Sequence, residues 1–372
     1  MNVPFFTSVR EYHNRKADFD SAIRAVLEKG DFILGGAVKE LEADVAKYAD
    51  AKYAVGVANG SDALTLASDA LGYRSGAEVI TPVFTFFASS SCIARLGGKP
   101  VFCDIDEESF CMDMSDAALR ITKNTKGLLP VHLFCQMADM NAALKIAKEN
   151  NLTVLEDAAE AFGMRQDVGG NVMTAGTVGD AGVYSFFPTK TLGGYGDGGM
   201  FLTNSEDLFE QVKALRVHGA TKKYHHDFIG YNSRLDTLQA AVLSVKLQKI
   251  DGATSARAKV AEQYREELAG VEQIRLPVVK RGNTPVYYVF QTRAQKRDEL
   301  ASFLKENGIG TCVYYPVPLH LQKCFSYLGY KKGDFPVAEK LCEEVLALPI
   351  YPEITEDEVS YVCEKIKEFY KK

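Results

Sequence analysis

Val183 to Gly199 reads VYSFFPTKTLGGYGDGG. An apolar run leads into one lysine, Lys190, and then into five glycines, Gly193, Gly194, Gly196, Gly198 and Gly199. Gly182 to Phe186 has the pattern of a short buried strand, and the glycines mark backbone that turns tightly or approaches something closely. Tyr184, Phe186 and Phe187 suggest a buried surrounding for Lys190. Burial disfavours the ammonium form and lowers a lysine's pKa, as Schiff-base chemistry requires. A surface lysine in a glycine-rich loop has the same local pattern, so the choice rests on what the rest of the chain places around it.

Outward from this stretch the pattern alternates. Tyr53 to Ala58, Glu78 to Thr81, Pro100 to Ile105, Gly127 to Phe134 and Thr153 to Glu156 read as further apolar strands. Ser61 to Leu71, Ala88 to Leu96 and Asn141 to Glu149 read as helices between them. Alternating strand and helix predict an α/β fold whose mainly parallel sheet is covered on both faces and binds ligands at the carboxyl ends of its strands. Two amphipathic helices precede this region, one burying Phe19, Ile23, Val26 and Leu27 before Gly30, the other burying Val38, Leu41, Val45 and Tyr48. Past the helix Thr237 to Leu247, Asp251 and Gly252 suggest a break. We expect a large domain over 1–249 and a smaller α+β domain over 250–372, with strands at Val286 to Thr292 and Thr311 to Tyr315. The last helix should start on a capping box, Thr355 and Glu358.

The 372 residues suffice for about two domains and a sizeable core. A net charge of −6 without charge blocks points to neither nucleic acid nor an anionic membrane. The first residues lack a signal peptide's apolar core and no run approaches a membrane span, so the cytoplasm is the expected compartment. Eight cysteines without a CxxC pair, and two adjacent histidines, His225 and His226, do not suit a metal site, and none is expected.

Three more stretches carry chemistry. Asn59-Gly60-Ser61-Asp62 follows a strand and opens a helix, so its free N–H groups and dipole suit a phosphate, although Ser61 as a plain N-cap needs no ligand. Thr85-Phe86-Phe87 puts aromatics at a strand's carboxyl end, where a planar ring could stack or where they could simply be core. Glu156-Asp157-Ala158-Ala159-Glu160 places acids directly after an apolar strand, where a buried carboxylate needs a partner such as a protonated ring nitrogen, although an acid at a helix N-terminus helped by the dipole has the same pattern. A phosphate cradle, a stacking aromatic, a ring-nitrogen carboxylate and a lysine are together what pyridoxal phosphate asks of a protein.

The chain resembles, over essentially its whole length, the DegT/DnrJ/EryC1/StrS group of sugar aminotransferases. The resemblance runs through FILGG at Phe32 to Gly36, VANGSDAL at Val57 to Leu64, TPVFTFFAS at Thr81 to Ser89, PVHLF at Pro130 to Phe134, and EDAAEAFG at Glu156 to Gly163. It continues through the Lys190 stretch, RVHG at Arg216 to Gly219, GYNSRLDTLQAA at Gly230 to Ala241, and YYPVPLHLQ at Tyr314 to Gln322. It implies the fold-type-I aminotransferase architecture with pyridoxal 5'-phosphate as cofactor.

By the same resemblance Lys190 is the Schiff-base lysine and the base that moves the proton. Asp157 pairs with the pyridine nitrogen, Phe86 stacks on the ring, and Gly60, Ser61 and Ser185 hold the phosphate. Asn232 reaches the partner subunit's phosphate, which implies a homodimer with shared active sites. Glu160 stands near the cofactor's phenolic oxygen where many relatives carry glutamine. His225, His226, Arg234 and His320 are expected on the substrate side. The implied reaction moves an amino group from an amino acid, with glutamate the expected donor, to a nucleotide-linked keto sugar. The histidines before GYNSRLD favour a 3-keto over a 4-keto sugar. A non-catalytic regulator on the same scaffold would be expected to lose Lys190 or Asp157, and the dehydrating relatives replace the lysine with histidine.

Overall fold

The computed structural model describes residues 1–371. Its centre is a seven-stranded sheet of β1 (Tyr53–Val57), β2 (Glu78–Pro82), β3 (Lys99–Cys103), β4 (Thr125–Leu128), β5 (Thr153–Asp157), β6 (Ala181–Ser185) and β7 (Gly199–Thr203). The order across it is β1-β7-β6-β5-β4-β2-β3. β2 to β6 pair in parallel, and β7 alone runs antiparallel, between β6 and β1. The strands are buried almost throughout, as a sheet covered on both faces requires.

The six strands expected in the first half of the chain are present, with different ends. The stretch after β4 leaves the ladder because Pro130 has no N–H to donate. It stays beside β5, with Asp157 N–H on Pro130 O (2.9 Å) and His132 N–H on Asp157 O (3.0 Å). β7 was not anticipated, since the glycines before it read as loop. They approach the protein's own backbone. A Cβ on Gly199 would lie 2.5 Å from the carbonyl carbon of Asn59, and one on Gly193 would lie 2.5 Å from Pro188 O.

Helix α1 (Gly60–Ala70) follows β1, and α2 (Ala88–Arg95) follows β2. Helix α3 (Thr237–Leu247) gives way to α4 (Ile250–Glu267), so Asp251 and Gly252 lie in the first turn of α4. A second apolar cluster gathers Tyr264, Phe290, Leu300, Leu346, Val359 and Ile366 around a small antiparallel sheet, Ile274–Arg275, Phe290–Ala294 and Val345–Leu348. Val3, from the opposite end of the chain, packs into the same cluster. The strand expected at Thr311 to Tyr315 is reduced to one bridge, Cys312 with Ala347. The last helix, α5 (Glu356–Lys371), opens on a reciprocal capping box: Thr355 N–H donates to Glu358 Oε2 (2.9 Å) and Glu358 N–H to Thr355 Oγ1 (3.2 Å). Among the described residues no helix is long and apolar enough to cross a membrane.

Candidate active site

The carboxyl ends of β1, β2, β5 and β6 converge on one cavity of about 490 Å³. Each strand delivers one of the sequence-predicted groups: Gly60 and Ser61 after β1, Phe86 after β2, Asp157 and Glu160 at and after β5, Ser185 and Lys190 at and after β6. Residues separated by more than 120 positions thus share one wall, as the parallel topology dictates.

Strand alternation separates the acids. Glu156, fully buried, accepts from the N–H groups of Val178 (2.6 Å), Gly179 (2.7 Å) and Gly176 (2.9 Å), and its Oε2 lies 2.8 Å from His132 Nε2. His132 Nδ1 accepts from Ala138 N–H (3.1 Å), so Nε2 carries the proton that faces Glu156. Glu156 therefore ties down the 176–179 loop. Its neighbour Asp157 points the other way, into the cavity.

Asp157 is 4% exposed and takes two hydrogen bonds, from Ser89 Oγ to Oδ2 (2.6 Å) and from Ala159 N–H to Oδ1 (3.1 Å). Burial pushes its pKa above the ordinary aspartate value, and the two donors offset only part of that. A buried carboxylate in this state gains from a cationic N–H partner.

Lys190 Nζ lies 3.3 Å from Glu160 Oε1 and 4.1 Å from the centre of the Tyr288 ring. The sequence predicted a lowered pKa from burial. Burial does lower it, but the Glu160 charge and Tyr288 together outweigh burial, and the net shift is upward. Glu160 is fixed in turn by Phe134 N–H on Oε2 (3.2 Å).

At the N-terminus of α1, Asn59 Oδ1 accepts from Asp62 N–H (2.8 Å) and Asn59 O from Ala63 N–H (3.0 Å). The cap is thus Asn59 rather than Ser61, and the N–H groups of Gly60 and Ser61 stay free for a ligand. A Cβ on Gly60 would lie 2.7 Å from Ser185 Cβ, so only glycine lets this helix end meet β6. Phe84 is buried core, whereas Phe86 is 58% exposed on the cavity wall. An anion cradle, an open aromatic face, a buried carboxylate short of a cation and a primary amine fit pyridoxal phosphate.

The remaining candidates lie elsewhere. Asn232, His225 and His226 are exposed, the histidines on a hairpin where His226 Nδ1 lies 3.0 Å from His218 O. Arg234 is partly buried with an unpartnered Nε, and it does not line the cavity of its own chain. His320 is 2% exposed, stacked edge-on to Phe335, with Nε2 3.1 Å from Glu339 Oε1. Tyr288, Tyr314 and Tyr315 line the cavity and Ser89 backs it. None of the four was singled out in the sequence, because nothing local distinguishes a site tyrosine from a packing one. Lys190 also touches a second cavity of about 410 Å³, but its charged walls are largely spent within the protein, with Lys246 on Glu11 (2.8 Å) and Arg257 on backbone carbonyls.

The family model of the DegT/DnrJ/EryC1/StrS aminotransferases matches residues 13–367. The chain belongs to this family. As a DegT/DnrJ/EryC1/StrS aminotransferase it is a pyridoxal-phosphate-dependent sugar aminotransferase of the α/β architecture described above. A relative from Geobacillus stearothermophilus, named a pleiotropic regulatory protein, is 48% identical over 100% of this chain and 99% of its own. A relative from Acidithiobacillus ferrooxidans, named a UDP-N-acetyl-3-dehydro-alpha-D-glucosamine 3-aminotransferase, is 38% identical over 93% of this chain and 92% of its own. The solved structure of DesV from S. venezuelae superposes with a TM-score of 0.96 at 38% identity, covering 100% of this chain and 99% of that one.

Proposed function

We propose that this aminotransferase moves the amino group of glutamate to C3 of a nucleotide-linked 3-keto sugar, in the cytoplasm, as a homodimer whose active sites are shared. The name of the Acidithiobacillus relative supports C3 over C4, and the convergence of Lys190, Asp157, Gly60 and Phe86 on one cavity is the observation that carries the catalytic reading. When bound, pyridoxal phosphate supplies an electron-accepting ring next to the carbon that carries the amine.

The chain's own residues do the rest. Lys190 holds the cofactor between turnovers and, once released from it, shuttles the proton at the sugar carbon that gains the amine. Asp157 keeps a proton on the ring nitrogen. Gly60 and Ser61 N–H groups with Ser185 Oγ grip the phosphate, and Phe86 covers the ring. Glu160 pairs with the Lys190 ammonium and sets how readily it gives up its proton. Asn232 and the His225–His226 hairpin, exposed on their own chain, serve the partner's site, with Arg234 and His320 supporting the substrate side. With the chain divided into domains 1–249 and 250–372, the second contributes Tyr288, Tyr314 and Tyr315 to the cavity wall.

The test is a panel of nucleotide-linked 3-keto and 4-keto sugars with glutamate, read as 2-oxoglutarate formed. Turnover confined to 3-keto sugars is expected, and turnover of 4-keto sugars alone sinks the regiochemistry. A second reading, a regulator that binds the cofactor without turning over, is favoured by the name of the Geobacillus relative. It predicts a loaded protein with no 2-oxoglutarate release from any sugar in the panel.

A further inference from the structure

Behind Asp157 stands a chain of two hydroxyls. Ser89 Oγ, on the first turn of α2, donates to Asp157 Oδ2 at 2.6 Å, and Thr85 Oγ1 lies 2.9 Å from Ser89 Oγ. Both residues are buried, Ser89 completely. A serine hydroxyl has one proton; with that proton on an ionised Asp157, Ser89 must accept from Thr85. The chain then runs Thr85 to Ser89 to Asp157, every donor pointing at the carboxylate. Protonation of Asp157 would reverse it. Charge-assisted O–H···O⁻ bonds of this length are among the strong ones.

We infer that Thr85 and Ser89 are positioning residues that hold the Asp157 carboxylate ionised and aimed at the cofactor's ring nitrogen. The groups facing Asp157 explain why such help is needed. Lys190 favours its charge from the neighbouring stretch. The neutral His132 ring, the Tyr315 hydroxyl and the Cys92 thiol stand near it, the last two kept neutral by burial, and burial itself works against ionisation. Glu160, one turn on, already serves Lys190. Ser89 supplies the only side-chain hydrogen bond that Asp157 receives among the described residues. Loss of that donor leaves Oδ2 buried without a partner and makes Asp157 the better base. A proton shared with the cofactor's ring nitrogen would then rest on the carboxylate, and the ring would be neutral and draw electrons less strongly. This inference rests on the assignment of Asp157 to the ring nitrogen.

The experiment uses holoenzyme loaded with cofactor 15N-labelled at the ring nitrogen, in wild type, Ser89→Ala, Ser89→Thr and Thr85→Val. In wild type the 15N shift should be that of a protonated ring. In Ser89→Ala it should move toward the unprotonated value, kcat should fall about 10- to 100-fold, and sugar KM should change less than about twofold. Ser89→Thr should restore both readouts, and Thr85→Val should move them the same way by less. The inference is overturned when Ser89→Ala, or Thr85→Val should Ser89→Ala not fold, keeps the protonated shift and near-native kcat while only melting temperature drops. An unprotonated ring in wild type would instead remove the assignment of Asp157 itself.

Discussion

Lys190 Nζ sits 3.3 Å from Glu160 Oε1, and this contact, with Tyr288 beside it, reverses the effect that burial alone has on the lysine. A raised lysine pKa means that the neutral amine, the form that attacks an aldehyde, becomes available only as pH rises beyond the ordinary lysine range. Glu160→Gln removes the charge and leaves burial opposed only by Tyr288, so the pH midpoint for cofactor loading should move down. Loading at pH 8 should accelerate by roughly tenfold for each unit of that shift. Absorbance-detected loading rates across pH measure it, and an unmoved midpoint contradicts it.

Asp157 shifts in the same direction for a different reason. Burial raises its pKa, so the carboxylate is neutralised, as pH falls, sooner than an ordinary aspartate. Cofactor affinity in wild type should therefore weaken on acidification before the usual carboxylate range is reached. Asp157→Asn should flatten this limb and lower affinity by about 10- to 100-fold. Equilibrium titration of the cofactor at several pH values decides the matter.

Glu156, one position earlier, should behave differently. Its carboxylate serves three loop N–H groups and His132, so Glu156→Ala strands four donors in the core. A loss of about 3 kcal/mol or more in folding stability is expected. Denaturant melts of the cofactor-free protein check it; a stability within about 1 kcal/mol of wild type would refute the tethering role.

Gly60→Ala should weaken cofactor binding while leaving the fold intact. The new methyl group must move Ser185 or the start of α1, since only 2.7 Å separates its position from Ser185 Cβ. Overpacking of this kind costs about 1–3 kcal/mol. Inorganic phosphate should protect the variant against thermal unfolding less than it protects wild type.

The exposed Asn232 offers a test of the shared site. Lys190→Ala and Asn232→Ala chains, each inactive alone, should regain roughly a quarter of wild-type activity when refolded together, because half the dimers are mixed and each has one complete site. Refolded mixtures that stay at the level of the single variants would place Asn232's role within its own chain.

Local rules decided much of this protein. The strands, the helix starts and the capping box at Thr355 follow from apolar periodicity and cap chemistry, which act over a few residues. The four stretches that meet at the cavity were legible for the same reason: each is a strand end with a residue type that burial must explain. Tertiary structure decided the rest. β7 became visible only through its partners β6 and β1, since glycine-rich backbone carries no pattern of its own. Which of Glu156 and Asp157 faces the cavity depends on the phase of β5 in the sheet, and which of Phe84 and Phe86 is covered depends on what packs above them. The sign of the Lys190 shift is set by Glu160, thirty positions earlier in the chain, together with Tyr288 from the C-terminal part, because the two jointly outweigh desolvation and no local reading of the lysine's neighbours contains those contacts.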